Sequence, residues 1–279
     1  MIARDFILGL TLSLGLLAVT ATALMVSSRP AMAQVSNCQA IATNIPGARL
    51  WRASTTAADY SVTITYVGHS TFRIEAPDGT TIATDFAGFA GDGDLPEVVT
   101  MNNAHSSHWT AYPDPEIAHV LRGWNPEGGK AEHFLTVGEV LIRNVATDRR
   151  SWGGGAVDSG NSIFIFEISG LCLGHLGHLH QELSDGQIAE IGRLDIVFVP
   201  IDGGFTMPHP QMMNVLERLR SSIAIPMHWF SQGNLTTFVA RTREHGFGVD
   251  VKADPTVTLT LNDLPSTPTM MVLPRTHPF

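Results

Sequence analysis

Short runs of alternating apolar and polar residues dominate the chain after residue 60. Ser61 to Tyr66 (SVTITY) and Thr71 to Glu75 (TFRIE) alternate with β-branched residues and predict two strands. Pro77-Asp78-Gly79 is a turn signal, and Thr80 to Thr84 (TTIAT) predicts a third strand, so the domain opens as a meander. Glu97 to Met101 predicts a short apolar strand and Phe134 to Val145 one or two more. Asn161 to Ile168 and Leu171 to Leu173 predict a hairpin around Ser169-Gly170. Later the period changes. Ser184 to Gly192 reads as a short helix with Ser184 as its N-cap. Asp195 to Pro200 is a buried strand. Pro210 to Arg220 is a helix on which Met212, Val215, Leu216 and Leu219 share a face, and Ile223 to Pro226 is a second buried strand. The last strands fall near Val249 to Val251 and Thr256 to Leu261. Strand-rich first and alternating later, the pattern predicts α/β sheets covered by helices, in a single domain spanning 34–279.

The N-terminus has a different character. Arg4 precedes an uncharged apolar run from Phe6 to about Val26, and Ala31-Met32-Ala33 offers a small-x-small cleavage site. Residues 1–33 therefore read as a signal peptide, with Gln34 as the mature start and a periplasmic or secreted location. An uncleaved anchor in the inner membrane, with the domain facing outward, is the alternative, because the run is long enough to span a bilayer. Residues 34–59 read as an extension packed on the domain. Cys38 and Cys172 could pair in an oxidising compartment. The favoured reading keeps them separate, with Cys172 as a small buried hydrophobe on a strand.

Composition adds little against this picture. The chain is 44% hydrophobic and 15% charged with a formal net charge of -9, which argues against nucleic acid or an anionic membrane as a partner. No stable membrane contact is expected after signal removal. The 12 histidines alter the reading, because several are clustered just after predicted strands. His105 and His108 sit three apart after one strand. His175, His178 and His180 crowd after another, and His228 ends a third. Neutral imidazoles converging from such junctions suit Zn, Fe, Mn or Ni. His119, His133, His209, His245 and His277 read as surface or packing residues. Trp109, Trp124 and Trp152 could line a pocket or be core aromatics.

Taken in order, these motifs resemble a known family. Tyr66-Val67-Gly68-His69-Ser70-Thr71-Phe72 resembles the opening GHST(F/V) strand of the metallo-β-lactamase superfamily, in its branch of broad Zn-dependent hydrolases. Ala83-Thr84-Asp85 resembles its second-strand Asp motif, NAHSSH at 103–108 its HxHxDH, and HLGHLHQELS at 175–184 its HLGDLGHxLT. Asp195 to Gly204 and Ile225 to His228 resemble the strands that follow. The resemblance covers roughly residues 60–262. It implies a four-layer αββα sandwich with a metal site at one edge of the sheets. It also exposes departures: Asn103, Ser107 and His178 stand where the family has His, Asp and a bridging Asp. A shifted register would put His175 in the bridging place; His178 is preferred. The third-motif His is missing, and Asp148 is the substitute available there.

The ligand set implied is His105, His108, His178 and His228, with Asp148 possible, holding one ion, Zn by preference. His69, Asn103, His175 and His180 would surround it, and Asp85 or Asp202 would orient water or act as general base. The implied function is a hydrolase that uses metal-activated water on an ester, lactone, amide or phosphodiester of small-molecule size. A non-catalytic metal- or ligand-binding member of the same fold is the alternative.

Overall fold

The computed structural model describes residues 36–42, 60–151 and 153–277. The expected signal peptide, its cleavage site and Trp152 lie outside the described residues. Among the described residues no helix is long and apolar enough to cross a membrane.

In chain order the elements are α1 (Asn37–Ala42), β1 (Val62–Gly68), β2 (Thr71–Glu75), β3 (Thr81–Ala83), β4 (Val98–Met101), β5 (His119–Arg122), β6 (Phe134–Val137), β7 (Val140–Arg150), β8 (Ala156–Ile168), β9 (Leu171–His175), α2 (Asp185–Ile191), β10 (Ile196–Pro200), α3 (His209–Leu219), β11 (Ile223–Met227), α4 (Gln232–Glu244), β12 (Gly248–Val251), β13 (Thr256–Leu259) and β14 (Thr269–Val272). The strands form a six-stranded sheet, β13-β1-β2-β3-β4-β5, and an eight-stranded sheet, β12-β14-β11-β10-β9-β8-β7-β6. This is the α/β sandwich expected from the resemblance.

Period-2 alternation builds the layers. Val62, Ile64 and Tyr66 of β1 point inward, where they meet Phe164 and Phe166 of β8 and Phe198 of β10 in the core between the sheets. The other face of the eight-stranded sheet packs against α2, α3 and α4 through Val197, Val199, Met212, Leu216, Leu235 and Phe238. On the other face of the six-stranded sheet, Ala83, Val99 and Met101 pack under loop residues Phe86 and Ile117, with Trp109 and Trp124 edge-on at 5.5 Å. These two tryptophans therefore belong to a packing cluster and do not line the pocket described below.

Most helix and strand signals read from the sequence mark real elements. Ser184 caps α2 in a full capping box with Gln187. The pairing of the cysteines differs from expectation: Cys38 and Cys172 form a disulfide. The reason is a buried anchor for α1. The Glu167 carboxylate on β8 accepts the Ser36 hydroxyl and the Asn37 amide, the latter at 2.9 Å, and pairs with buried Arg143 at 3.3 Å. Arg193 adds a backbone bond to Cys38 at 3.0 Å. This frame sets Cys38 beside Cys172 on β9.

Candidate metal centre

Three buried histidines from three loops converge at one rim of the sandwich. His69, His108 and His228 each offer a ring nitrogen, and these atoms lie within 4.8 Å of one another. His69 occupies the tight link between β1 and β2, His108 the turn after β4, and His228 the residue after β11. The six-stranded sheet thus supplies two of the rings and the eight-stranded sheet the third.

The backbone at these points is unusual. His69, Asp85 and His228 have φ near +50°, a region that non-glycine residues occupy at a cost. Local bonds hold them there. The His228 amide donates to the His69 carbonyl at 2.7 Å, and the Tyr66 hydroxyl donates to the same carbonyl at 2.8 Å. His108 is held by its amide bond to the His105 carbonyl, also 2.7 Å.

Behind two of the rings stands a carboxylate. Asp85, fully buried, bonds His108 Nδ1 and accepts the Asn102 amide at 3.1 Å. Asp202 bonds His228 Nδ1 at 3.1 Å and is itself held by the amides of Gly204 and Thr206, at 2.9 and 3.1 Å, and by the Thr206 hydroxyl. Neither carboxylate lines the cavity in front of the histidines. Their positions therefore differ from that expected of a base beside a metal-activated water. Carboxylate–histidine pairs of this form fix the ring and its tautomer, which would leave Nε2 with a lone pair for a metal.

The electrostatics agree with ligation by neutral rings. Burial, aided by the neighbouring His228, lowers His69 to about 2; burial and His108 do the same to His178. Burial holds His108 well below its ordinary value and pushes Asp85 up to about 7, so a dry pocket disfavours charge on either partner. For Asp202, burial alone would raise the carboxyl. The hydrogen bonds from His228 and Thr206 outweigh it and hold the group well below the usual carboxylate range.

The other sequence-predicted residues are placed as follows. His178 stands beside the cluster, its ring 5.0 Å from His108 and 5.2 Å from His228, with Nδ1 buried and unbonded. Gly177 before it has φ of +59°, and a Cβ there would meet the side chains of Asn102 and Asn161 at 2.6 Å, so only glycine brings His178 to this place. His105 lines the cavity 5.7 Å from His108, with Nδ1 on the Ser107 hydroxyl at 2.8 Å. Asn103 lines the cavity too, its buried side-chain amide unbonded. Asp148 is turned elsewhere: its carboxylate accepts the Ser159 amide at 3.0 Å, and it does not line the cavity. The β-bulge between Thr147 and Arg149 carries it out of the site. His175 is a saturated core residue, bonded to the Ser70 carbonyl, Asn102 and the Gly177 amide. His180 bonds the Asp148 carbonyl at 3.1 Å, away from the cluster.

His69 is the residue whose place sequence reasoning undervalued. It stands in the convergent trio, not around it. The signal available was Gly68 before it, at φ +155°, which lets β1 turn sharply enough to aim the imidazole inward. The donor set fits a borderline divalent cation: three imidazoles, with His108 Nε2 buried and lacking any hydrogen bond.

Comparison with known proteins places the fold in a family. A family model described as the β-lactamase superfamily domain matches residues 63–228, from the first strand to the last of the three histidines. A metal-dependent hydrolase of Methanospirillum hungatei is 25% identical over 186 residues, 60% of this chain and 82% of that protein. Another, of Carboxydothermus hydrogenoformans, is 33% identical over 106 residues, 37% of this chain and 47% of that one. Among solved structures, one described as a Zn-dependent hydrolase of the metallo-β-lactamase superfamily from Thermotoga maritima superposes with a TM-score of 0.54 at 25% identity, covering 76% of this chain and 98% of that one. A metallo-hydrolase of Ignicoccus hospitalis superposes with a TM-score of 0.51 at 21% identity, covering 72% and 99%. With the family match over residues 63–228 and its two-sheet fold, the chain belongs to the metallo-β-lactamase superfamily.

Proposed function

We propose that this protein is an exported hydrolase that works with one bound divalent cation, zinc by preference, on a small-molecule ester, lactone, amide or phosphodiester. The observation that carries the reading is the convergence of His69, His108 and His228, two of them backed by carboxylates. These three would hold the cation, with His178 and His105 near enough to complete or vary the set. When bound, such a cation supplies a Lewis acid for the substrate oxygen and a water of pKa near 7. Asp85 and Asp202 keep the Nδ1 protons of His108 and His228 in place, so that each ring presents a lone pair. Asn103, buried and unbonded at the cavity wall, is free to donate to a substrate oxygen. Phe205 and Phe230 add an aromatic surface to the cavity wall. The Cys38–Cys172 disulfide supports the export reading, since such bonds persist in oxidising compartments.

A binding protein without turnover is the second reading. It is favoured by one feature: no carboxylate belongs to the convergent trio. Elemental analysis of the purified full chain, followed by a panel of esters, lactones, amides and phosphodiesters, separates the two. We expect about one metal per chain and hydrolysis that chelation abolishes. Bound metal with no turnover on any class would defeat the enzyme reading. His108→Ala should empty the site, and unchanged metal content in that variant would defeat the ligand assignment.

A further inference from the structure

The cavity in front of the histidines holds about 630 Å³ and carries a chemistry that the metal residues do not explain. Arg149 and Arg150, at the end of β7, line it together with Phe205 and Phe230. In a chain of net charge -9, two adjacent cations beside a candidate metal would repel it unless an anion joins them.

Neither arginine has a carboxylate partner among the described residues. Asp148, next in sequence, is committed to the Ser159 amide. Arg149 Nε is buried without a hydrogen bond, and its Nη1 reaches only the Arg150 carbonyl, at 3.4 Å. Arg150 Nη2 donates to the Thr206 carbonyl at 3.1 Å, beside Phe205. The backbone is adapted to this arrangement. The bulge between Thr147 and Arg149 re-aims the end of β7, and Gly160 makes room, since a Cβ there would meet the Arg149 Cβ at 3.0 Å. A buried guanidinium nitrogen without an acceptor is costly, and the planar fork of arginine matches carboxylate and phosphate oxygens. Phe205 and Phe230 supply the aromatic part of the wall. Phe205 and Phe230 are 59% and 56% exposed and meet edge to face at 5.9 Å, a large aromatic surface left open beside a pocket.

We propose that Arg149 and Arg150 form an anion subsite next to the histidine cluster, and that the substrate is a small molecule bearing a carboxylate or phosphate on an apolar or aromatic body that rests on Phe205 and Phe230. The word substrate rests on the hydrolase reading above; the anion subsite does not.

The test is isothermal calorimetry on the full chain, both metal-loaded and chelator-stripped, with phenylacetate, phenyl phosphate and benzyl alcohol as probes. The two anions are expected to bind the stripped protein at least about tenfold more tightly than the alcohol, since a charge-assisted arginine bond is worth that much. The double variant Arg149→Gln with Arg150→Gln should remove the preference, Arg149→Lys should retain part of it, and Phe205→Ala should weaken all three probes alike. Whichever anion binds more tightly names the group. Equal binding of all three probes by the stripped wild-type protein would overturn the proposal without any variant. So would an anion preference seen only with metal bound, because the cation would then be the reader, and so would a preference that survives the double variant. A preserved anion preference in a protein that hydrolyses nothing would sink the hydrolase reading and leave the subsite standing.

Discussion

At the scale of single residues, the site depends on carboxylates that never meet the substrate. Asp85 and Asp202 each fix a ring through Nδ1. Removing such a partner leaves the ligand in place but free to rotate, which costs metal affinity about 10- to 100-fold. Asp85→Asn is expected to weaken metal binding by that factor, read by competition with a chromophoric chelator. Undiminished affinity would show that the buried carboxylate serves packing alone. A pH prediction belongs at this scale too. His69 and His178 fall to about 2 in the fold, against about 6.5 when unfolded. Between those values the unfolded chain holds protons that the fold does not, so their contribution to stability is whole above about pH 6.5 and is lost as pH falls. His108 shifts the same way. Asp85, raised to about 7, runs oppositely and offsets one of the three. The metal-free protein should therefore show a lower denaturation midpoint at pH 5.5 than at pH 7.5, and an equal or higher one would contradict the burial of neutral rings. The histidines at 105, 108, 178 and 228 were legible as a site because each follows an apolar strand. What the sequence pattern could not reveal was which nitrogens converge. That is set by left-handed backbone at His69 and His228 and by a bulge that turns Asp148 away, all products of tertiary bonding.

At the scale of elements, alternation and capping made β1, β2, the β8–β9 hairpin, α2 and α3 readable. The elements that escaped share weak patterns. In α4 only Leu235, Phe238, Val239 and Thr242 are buried, and the rest of its 13 residues are polar or small, so tertiary contact decides its conformation. The short strands β5 and β14 are four residues each, and β14 owes its pairing to parallel neighbours rather than to β-branched residues. Helix α1, at six residues, is too short to stand alone and is held by Glu167 and the disulfide. Such a bond constrains the unfolded chain more as the loop lengthens, and this one closes a separation of 134 residues. Cys38→Ala should therefore cost about 4–5 kcal/mol by the loop-entropy argument. Denaturant unfolding with and without reductant measures it. A reductant effect that persists in Cys38→Ala would mean that the loss comes from elsewhere. The pairing escaped the sequence reading because 134 residues of separation give no local signal. The buried Glu167 anchor and the Arg193 bond to Cys38, visible once strands are paired, bring the two cysteines together.

At the scale of the whole molecule, the site is a joint between sheets. His69 and His108 rise from the six-stranded sheet and His228 from the eight-stranded one, so a cation bound by all three would cross-link the two halves of the sandwich. His69 and His228 hold left-handed backbone and the three rings are gathered in a buried cluster, which the metal-free protein must tolerate unaided. A ligand that binds only the folded state stabilises it by RT ln(1 + [L]/Kd), about 4 kcal/mol at a thousandfold excess over Kd. For a domain of this size each kcal/mol moves Tm by about 2–4 °C, so full loading should raise Tm by roughly 8–16 °C over the chelated protein. Calorimetric scans with and without chelator give the shift, and His108→Ala supplies the control, since a variant that no longer holds the ion should melt at one temperature in both conditions. The control also separates the joint from a mere surface ion: an ion bound elsewhere would still stabilise His108→Ala. If wild type and variant respond to chelation alike, the cross-link between the sheets does not run through these three rings.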